Sequence, residues 1–168
     1  MVNSLYQAAS NGDAGSAAML LSQGADVNAR NEQGRTPLHY AAAALHTRPD
    51  SWDRPDRIAV AGLLLDWGAD PNVQDKGGNT PLSLALRFQS YRPMALLLLS
   101  RGADPNPLKN IGASPLHAAS YHGDAVVVEH LLLYDADTNA KDKNGDTALE
   151  VARKRGFPEV ASLIEQMS

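Results

Sequence analysis

The stretch GADVN at residues 24–28 returns further along the chain, as GADPN at 68–72, GADPN at 102–106 and DADTN at 135–139. The starting positions are separated by 44, 34 and 33 residues. A second phrase keeps the same intervals and reads TPLH at 36–39, TPLS at 80–83, SPLH at 114–117 and TALE at 147–150. Two phrases in one register, with a period of about 33 residues, predict a solenoid of stacked helical hairpins.

Each copy of the second phrase carries the signals of a helix start. The proline suits the first helical position, where its missing N–H would be unpaired anyway, and the preceding serine or threonine can cap the helix. A longer apolar helix follows, and a glycine that can adopt a left-handed conformation ends it, at Gly24, Gly68 and Gly102. The outward turns that come next contain Gly34, Gly78, Gly112 and Gly145.

These phrases resemble the ankyrin repeat, whose pattern runs D-x-x-G-x-T-P-L-H-x-A-A-x-x-G, an apolar helix and then G-A-D-x-N. The resemblance implies an all-α solenoid of stacked helix-turn-helix units with outward β-turn or hairpin loops, forming a single domain over residues 1–168. Polar residues in the first and last units mark them as N- and C-terminal caps, so we expect a complete array. In the first unit Ser4 replaces the proline. The five predicted units lie at about 1–29, 30–73, 74–107, 108–140 and 141–168.

The composition fits such an array and narrows its setting. Hydrophobic residues make up 43% of the chain and aromatic residues only 5%, so the core must consist of Leu, Ala and Val. Cysteine is absent, which excludes disulfide and thiolate chemistry. The sequence shows neither a signal peptide nor a long apolar span, and its net charge of −4 lacks the basic excess typical of nucleic-acid binding. We therefore expect a cytoplasmic protein, or a nuclear one if the source is eukaryotic, that binds neither nucleic acid nor membrane.

Catalytic and metal-binding patterns are missing from the sequence. It contains no GxSxG, GxxxxGK or HExxH motif. His117 and His122 are five residues apart, so they do not share a helical face as two metal ligands would. The resemblance instead implies that His39 and His117 bond the backbone of the adjoining turn. We predict no enzymatic activity, no cofactor and no metal site.

The second unit carries an insertion between its two helices. Its spacing is 44 residues against 33 in the fourth unit, a difference of 11. The inserted stretch, about 46–56, reads HTRPDSWDRPD, and its two Arg-Pro steps favour a loop. One interpretation is a passive surface insertion, because added loop length costs little. The alternative is a second partner contact through Trp52 and Arg54, since Trp and Arg are the residue types that anchor interfaces.

A binding surface is expected where the outward turns and first helices line a concave groove. In the middle units four apolar or aromatic residues, Phe88, Leu108, Ile111 and Tyr121, stand among basic ones. An apolar centre with a charged rim is typical of protein interfaces, although some of these side chains could instead fold back onto the stack. The predicted partner-binding residues are Arg35, Trp52, Arg54, Lys76, Arg87, Phe88, Leu108, Lys109, Ile111, Tyr121, His122, Lys141 and Lys143.

The function predicted from the sequence is a monomeric, non-enzymatic module that binds a protein partner in this groove. Two more specific roles stay open. A stoichiometric inhibitor or immunity-type protein would block a partner enzyme, which suits a small free-standing array. An adaptor or scaffold would hold two proteins, one in the groove and one at the Trp52 loop.

Overall fold

Ten helices make up the regular structure of the residues that the computed structural model describes, namely 4–43, 56–87, 92–107 and 113–167. Outside the helices, these segments contain turns and irregular stretches and no strand. The all-α solenoid predicted from the sequence is confirmed. The helices are α1 Leu5–Asn11, α2 Ala14–Ser22, α3 Pro37–Ala42, α4 Arg57–Asp66, α5 Pro81–Ala85, α6 Arg92–Ser100, α7 Pro115–His122, α8 Ala125–Leu133, α9 Ala148–Arg155 and α10 Pro158–Gln166.

The helices pack in two layers. The odd-numbered ones, which we call the first helices, contact one another in the pairs α1 with α3, α3 with α5 and α7 with α9. The even-numbered ones, the second helices, contact one another from α2 through α4, α6 and α8 to α10. Each first helix also packs on the second helix that follows it. The chain therefore stacks one helical hairpin on the next, so each hairpin is covered mainly by its neighbours.

The first helices begin at the capping residues that the sequence predicts. The Thr80 hydroxyl accepts a hydrogen bond from the Ser83 N–H at 3.2 Å, and Ser114 and Thr147 cap α7 and α9 in the same way. Proline occupies the first turn of α3, α5 and α7. In the first unit Ser4, which was expected in place of the proline, is itself the cap, so α1 begins only at Leu5. Its hydroxyl accepts the Gln7 N–H at 3.3 Å, the same capping bond that Thr80 makes, so Leu5 stands where α3, α5 and α7 have proline.

The glycines of the GAD phrase end the second helices as predicted. Gly24, Gly68 and Gly102 have φ angles of +88°, +86° and +83°, in the left-handed region. The fourth copy of the phrase begins with Asp135, which adopts φ +61° at the same place. Aspartate is one of the few other residues that tolerate this conformation, and the chain turn is kept despite the substitution.

The core is a continuous strip of aliphatic side chains between the two layers. The leucines of the second phrase, Leu38, Leu82 and Leu116, are fully buried. Alanines such as Ala41 and Ala85 are equally buried and let neighbouring helices approach closely. Burying a leucine side chain stabilises the fold by roughly 1.5–3 kcal/mol, so this strip accounts for the cohesion of the stack. Among the described residues this buried core contains Leu, Ala and Val, with Met94 and Ile164, and no Phe, Tyr or Trp ring.

Candidate functional site

The asparagines of the GAD phrase form hydrogen bonds from one unit to the next, and we call this series the asparagine ladder. The side chain of each ladder asparagine donates from Nδ2 to a backbone carbonyl of the next unit and accepts at Oδ1 from a backbone N–H two residues further on. Distances lie between 2.7 and 3.0 Å. The ladder runs from Asn28 to Gly68 and Asp70, from Asn72 to Gly102 and Asp104, and from Asn106 to Asp135 and Asp137. These residues hold the units together and are not free for a partner.

The histidines of the second phrase also join neighbouring units. Nδ1 of His39 accepts the Thr36 N–H at 3.1 Å, and Nε2 lies 3.0 Å from the Asn79 carbonyl oxygen in the next unit. This pattern fits a neutral ring that donates from Nε2. Burial lowers the pKa of His39, and the Asn79 carbonyl, which favours the charged form, only partly opposes it. His117 makes the equivalent bond to the Asp146 carbonyl at 2.9 Å, so the role implied by the resemblance is confirmed.

Arg35 is held in a contact between units. Its Nε lies 3.0 Å from Oδ2 of Asp75, whose side chain is only 4% exposed. Burial raises the pKa of the Asp75 carboxyl, but hydrogen bonds from the Asn79 backbone, Arg35 and other groups outweigh burial and hold the pKa below its usual value. The sequence predicts Arg35 as a partner contact, whereas the structure gives it a stabilising role, and 31% of its side chain stays exposed.

Four other candidate cations point into solvent. Lys76 lies in the turn before α5, Lys141 and Lys143 lie in the turn before α9, and Arg87 follows α5. All four residues are exposed. None of their side chains has a hydrogen bond or ion pair within the described segments. Their charge is therefore available to a partner, in contrast to that of Arg35.

Tyr121 and His122 form a small aromatic cluster at the end of α7. Tyr121 is 48% exposed, and its ring meets the His122 ring edge to face at 5.3 Å between centroids. The guanidinium of Arg155 on α9 lies 4.1 Å from the centre of the Tyr121 ring, within cation–π distance. Arg155 is absent from the residues predicted from sequence. It occupies a variable first-helix position, but its contact with Tyr121 depends on how α7 and α9 stack.

Six predicted contacts lie outside the described residues. They are Trp52, Arg54, Phe88, Leu108, Lys109 and Ile111. The apolar centre of the groove and the role of the insertion therefore stay predictions, with Tyr121 the one described member of that centre. The end of the insertion is described: Asp56 caps α4, and Nη1 of Arg57 donates to the Ala43 carbonyl at 2.9 Å. Arg57 thus links the two chain ends that flank the insertion.

The second helices expose apolar side chains that the sequence analysis did not identify. Met19, Trp67 and Leu133 are 53%, 49% and 62% exposed. Trp67 is the residue just before the helix-ending glycine. The residue type at this position varies among units, and this variation could have identified Trp67 from the sequence. These side chains make the second-helix surface the rival candidate for a binding site.

Metal-ligand clusters and membrane-spanning helices are both missing from the described segments. No group of three His, Asp or Glu side chains there could hold a metal ion. None of the described helices is long and apolar enough to cross a membrane.

Stacked helix pairs, joined by the asparagine ladder and carrying variable side chains on outward turns, define a repeat solenoid. The sequence profile for ankyrin repeats, described as three copies, matches residues 5–109, 53–142 and 94–167. The chain belongs to the ankyrin-repeat family, whose members are generally protein–protein interaction modules.

Similar proteins share only a short part of the chain. The ARF GTPase-activating protein Git of Drosophila melanogaster is 47% identical over 49 residues, which is 29% of this chain and 7% of that protein. The human ARF GTPase-activating protein GIT1 is 42% identical over 50 residues, which is 30% of this chain and 7% of that protein. The similarity therefore covers a small part of these much longer relatives.

Proposed function

We propose that this protein binds a protein partner through the face formed by its outward turns and first helices, without catalysing a reaction. We call this surface the groove face and define it, among the described residues, by Lys76, Arg87, Tyr121, Lys141 and Lys143. The observation that carries the proposal is that recurring and variable positions have different roles. Recurring polar residues bond neighbouring units, whereas the variable residues of the groove face are exposed.

Tyr121 is the side chain on this face best suited to act as an anchor. It offers a large ring, half of which is exposed, and its contacts with His122 and Arg155 limit its rotation. Binding then requires little additional ordering of the ring, which favours affinity. Aromatic residues of this kind carry much of the energy at protein interfaces.

Alanine substitution tests the proposal. Tyr121→Ala should weaken the binding of a co-purifying partner by about 1–3 kcal/mol in calorimetry, the range of interface hot spots, with little change in thermal stability. Phe88→Ala, Leu108→Ala and Ile111→Ala test the predicted apolar centre in the same assay. Glu129→Ala and Gln166→Ala, on exposed second-helix positions, are the matched controls and should bind normally. Loss of binding in the controls alone would place the partner on the second helices.

The inhibitor and adaptor roles differ in stoichiometry. An inhibitor or immunity-type protein forms a complex of one chain with one partner enzyme and abolishes its activity. An adaptor or scaffold forms a ternary complex, with a second protein at the Trp52 loop. Size-exclusion chromatography with light scattering distinguishes them and also tests the proposal that the free protein is a monomer. Fractionation of the source cells tests the proposed cytoplasmic location.

A further inference from the structure

Charge is unevenly distributed between the two sides of the stack. The described turns 30–35, 74–79 and 141–146, together with the first helices and their ends, contain nine lysines and arginines and five acidic residues. One of the nine, Arg153, pairs with α10, so the other eight leave this side with a charge of +3. The whole chain has 15 basic and 19 acidic residues, a net charge of −4. The other described residues, Arg153 included, comprise four basic and twelve acidic residues, a net charge of −8. An acidic protein thus presents one basic side.

Ion pairs within the protein determine which cations of the basic side keep an uncompensated charge. Arg35 and Lys154 on the basic side each pair with a carboxylate of that side, Asp75 and Asp146. Arg153 turns away and pairs with Glu165 of α10. Arg30 donates from Nη2 to the Gln74 carbonyl at 2.6 Å. No ion pair within the described residues engages the other five cations, Lys76, Arg87, Lys141, Lys143 and Arg155, the last of which stacks on Tyr121.

From this arrangement we infer that the groove face takes an acidic segment of its protein partner, with an apolar or aromatic side chain of that segment seated beside Tyr121. The inference rests on the proposed function and specifies the chemistry of the partner. We choose an acidic occupant because of charge complementarity. The unpaired cations attract an anionic partner to this side, and the acidic remainder of the protein repels it from the other. Tyr121 adds an apolar contact, and one of the cations, Arg155, lies 4.1 Å from the centre of its ring.

A protein segment fits this face better than a nucleic acid does. Nucleic-acid surfaces carry a broad basic patch on a basic domain, whereas this chain has a net charge of −4, and its described residues outside the basic side have a net charge of −8. Long polyanions would meet that acidic remainder. A short acidic segment avoids the acidic remainder, because it is short enough to stay within the groove face.

The test uses the full chain and a fluorescein-labelled oligo-glutamate peptide containing one central phenylalanine. The test variant combines Lys141→Gln, Lys143→Gln and Arg155→Gln. The matched control combines Arg92→Gln, Arg101→Gln and Arg153→Gln, which removes the same charge from arginines that already pair with Asp124, Asp66 and Glu165. Circular dichroism verifies that both variants stay folded.

Fluorescence anisotropy should show the test variant binding the peptide ~10-fold more weakly and the control within ~2-fold of the natural protein, with affinity falling as salt rises. Equal losses in the two variants, equal binding of a glutamine peptide of the same length, or tighter binding of a single-stranded DNA would each overturn the inference. The peptide should also compete with the co-purifying partner. A partner that needs Tyr121 but is insensitive to salt and to the peptide would overturn the acidic segment and leave the proposed function standing.

Discussion

Removing one rung of the asparagine ladder should weaken the whole stack. Asn72 donates from Nδ2 to the Gly102 carbonyl at 3.0 Å and accepts the Asp104 N–H at 2.7 Å. Both bonds cross from one unit to the next, so Asn72→Ala removes two contacts between units without opening a cavity in the aliphatic core.

The size of the effect follows from the number of bonds and from their exposure. A protein hydrogen bond contributes about 0.5–1.5 kcal/mol net, so two bonds give about 1–3 kcal/mol. Asn72 is exposed, and water can replace part of what is lost, which places the expected cost at about 1–2 kcal/mol. For a chain of this length that cost lowers the melting temperature by about 2–8 °C.

Asn139 supplies the matched control for this substitution. It stands at the same place in its unit, but its side-chain amide has no hydrogen bond within the described residues; only its backbone N–H is engaged, with Asp137. Asn139→Ala should therefore change the free energy of unfolding by no more than about 0.5 kcal/mol. Urea titration followed by circular dichroism measures both variants. If Asn72→Ala costs no more than Asn139→Ala, the ladder does not couple the units and the reasoning fails.

Three further substitutions test other contacts between units. Arg35→Ala leaves the buried Asp75 carboxylate without its guanidinium and should cost about 1.5–3 kcal/mol in a urea titration, whereas Lys76→Ala, exposed and unpaired in the described structure, should cost almost nothing. Gly123→Ala places a methyl group 2.5 Å from the Phe157 ring at φ +70° and should destabilise the fold by about 2–5 kcal/mol. Its control, Gly156→Ala, has a similar φ of +77° but open space around it and should cost only about 1–2 kcal/mol. Equal costs for the two variants would refute the predicted clash. Because burial lowers the pKa of His39, the unfolded chain binds that proton more readily, and the contribution of His39 to stability is present above about pH 6.5 and lost as the pH falls below it. Stability measured at about pH 7.5 and about pH 5 should fall less in His39→Gln than in the natural protein, and an identical fall would contradict the assignment.

The repeated phrases predicted the fold because each recurring residue has a local task. Thr80 and Ser114 cap helices, Gly24 and Gly68 end them, and these tasks depend only on neighbours in sequence. The start of α1 was predicted one residue too early, because Ser4 was expected at the proline position, whereas the backbone makes Ser4 the cap and Leu5 the first helical residue.

Contacts between units were harder to predict. The pair Arg35 and Asp75, 40 residues apart, forms only because two turns are adjacent in the stack, and the sequence analysis therefore treated Arg35 as a free contact. The contact between Arg155 and Tyr121 depends in the same way on the packing of α9 against α7. Repetition shows that units stack, but side-chain partners follow from the distances and angles between them.

The central claim is that a partner covers the groove face. Hydrogen–deuterium exchange of the free protein and of its complex with the co-purifying partner tests it directly. We predict slower exchange in the complex in the turn 141–146 and around Arg87 and Tyr121, with the second helices unchanged. Slower exchange confined to the second helices around Trp67 and Leu133 would contradict it.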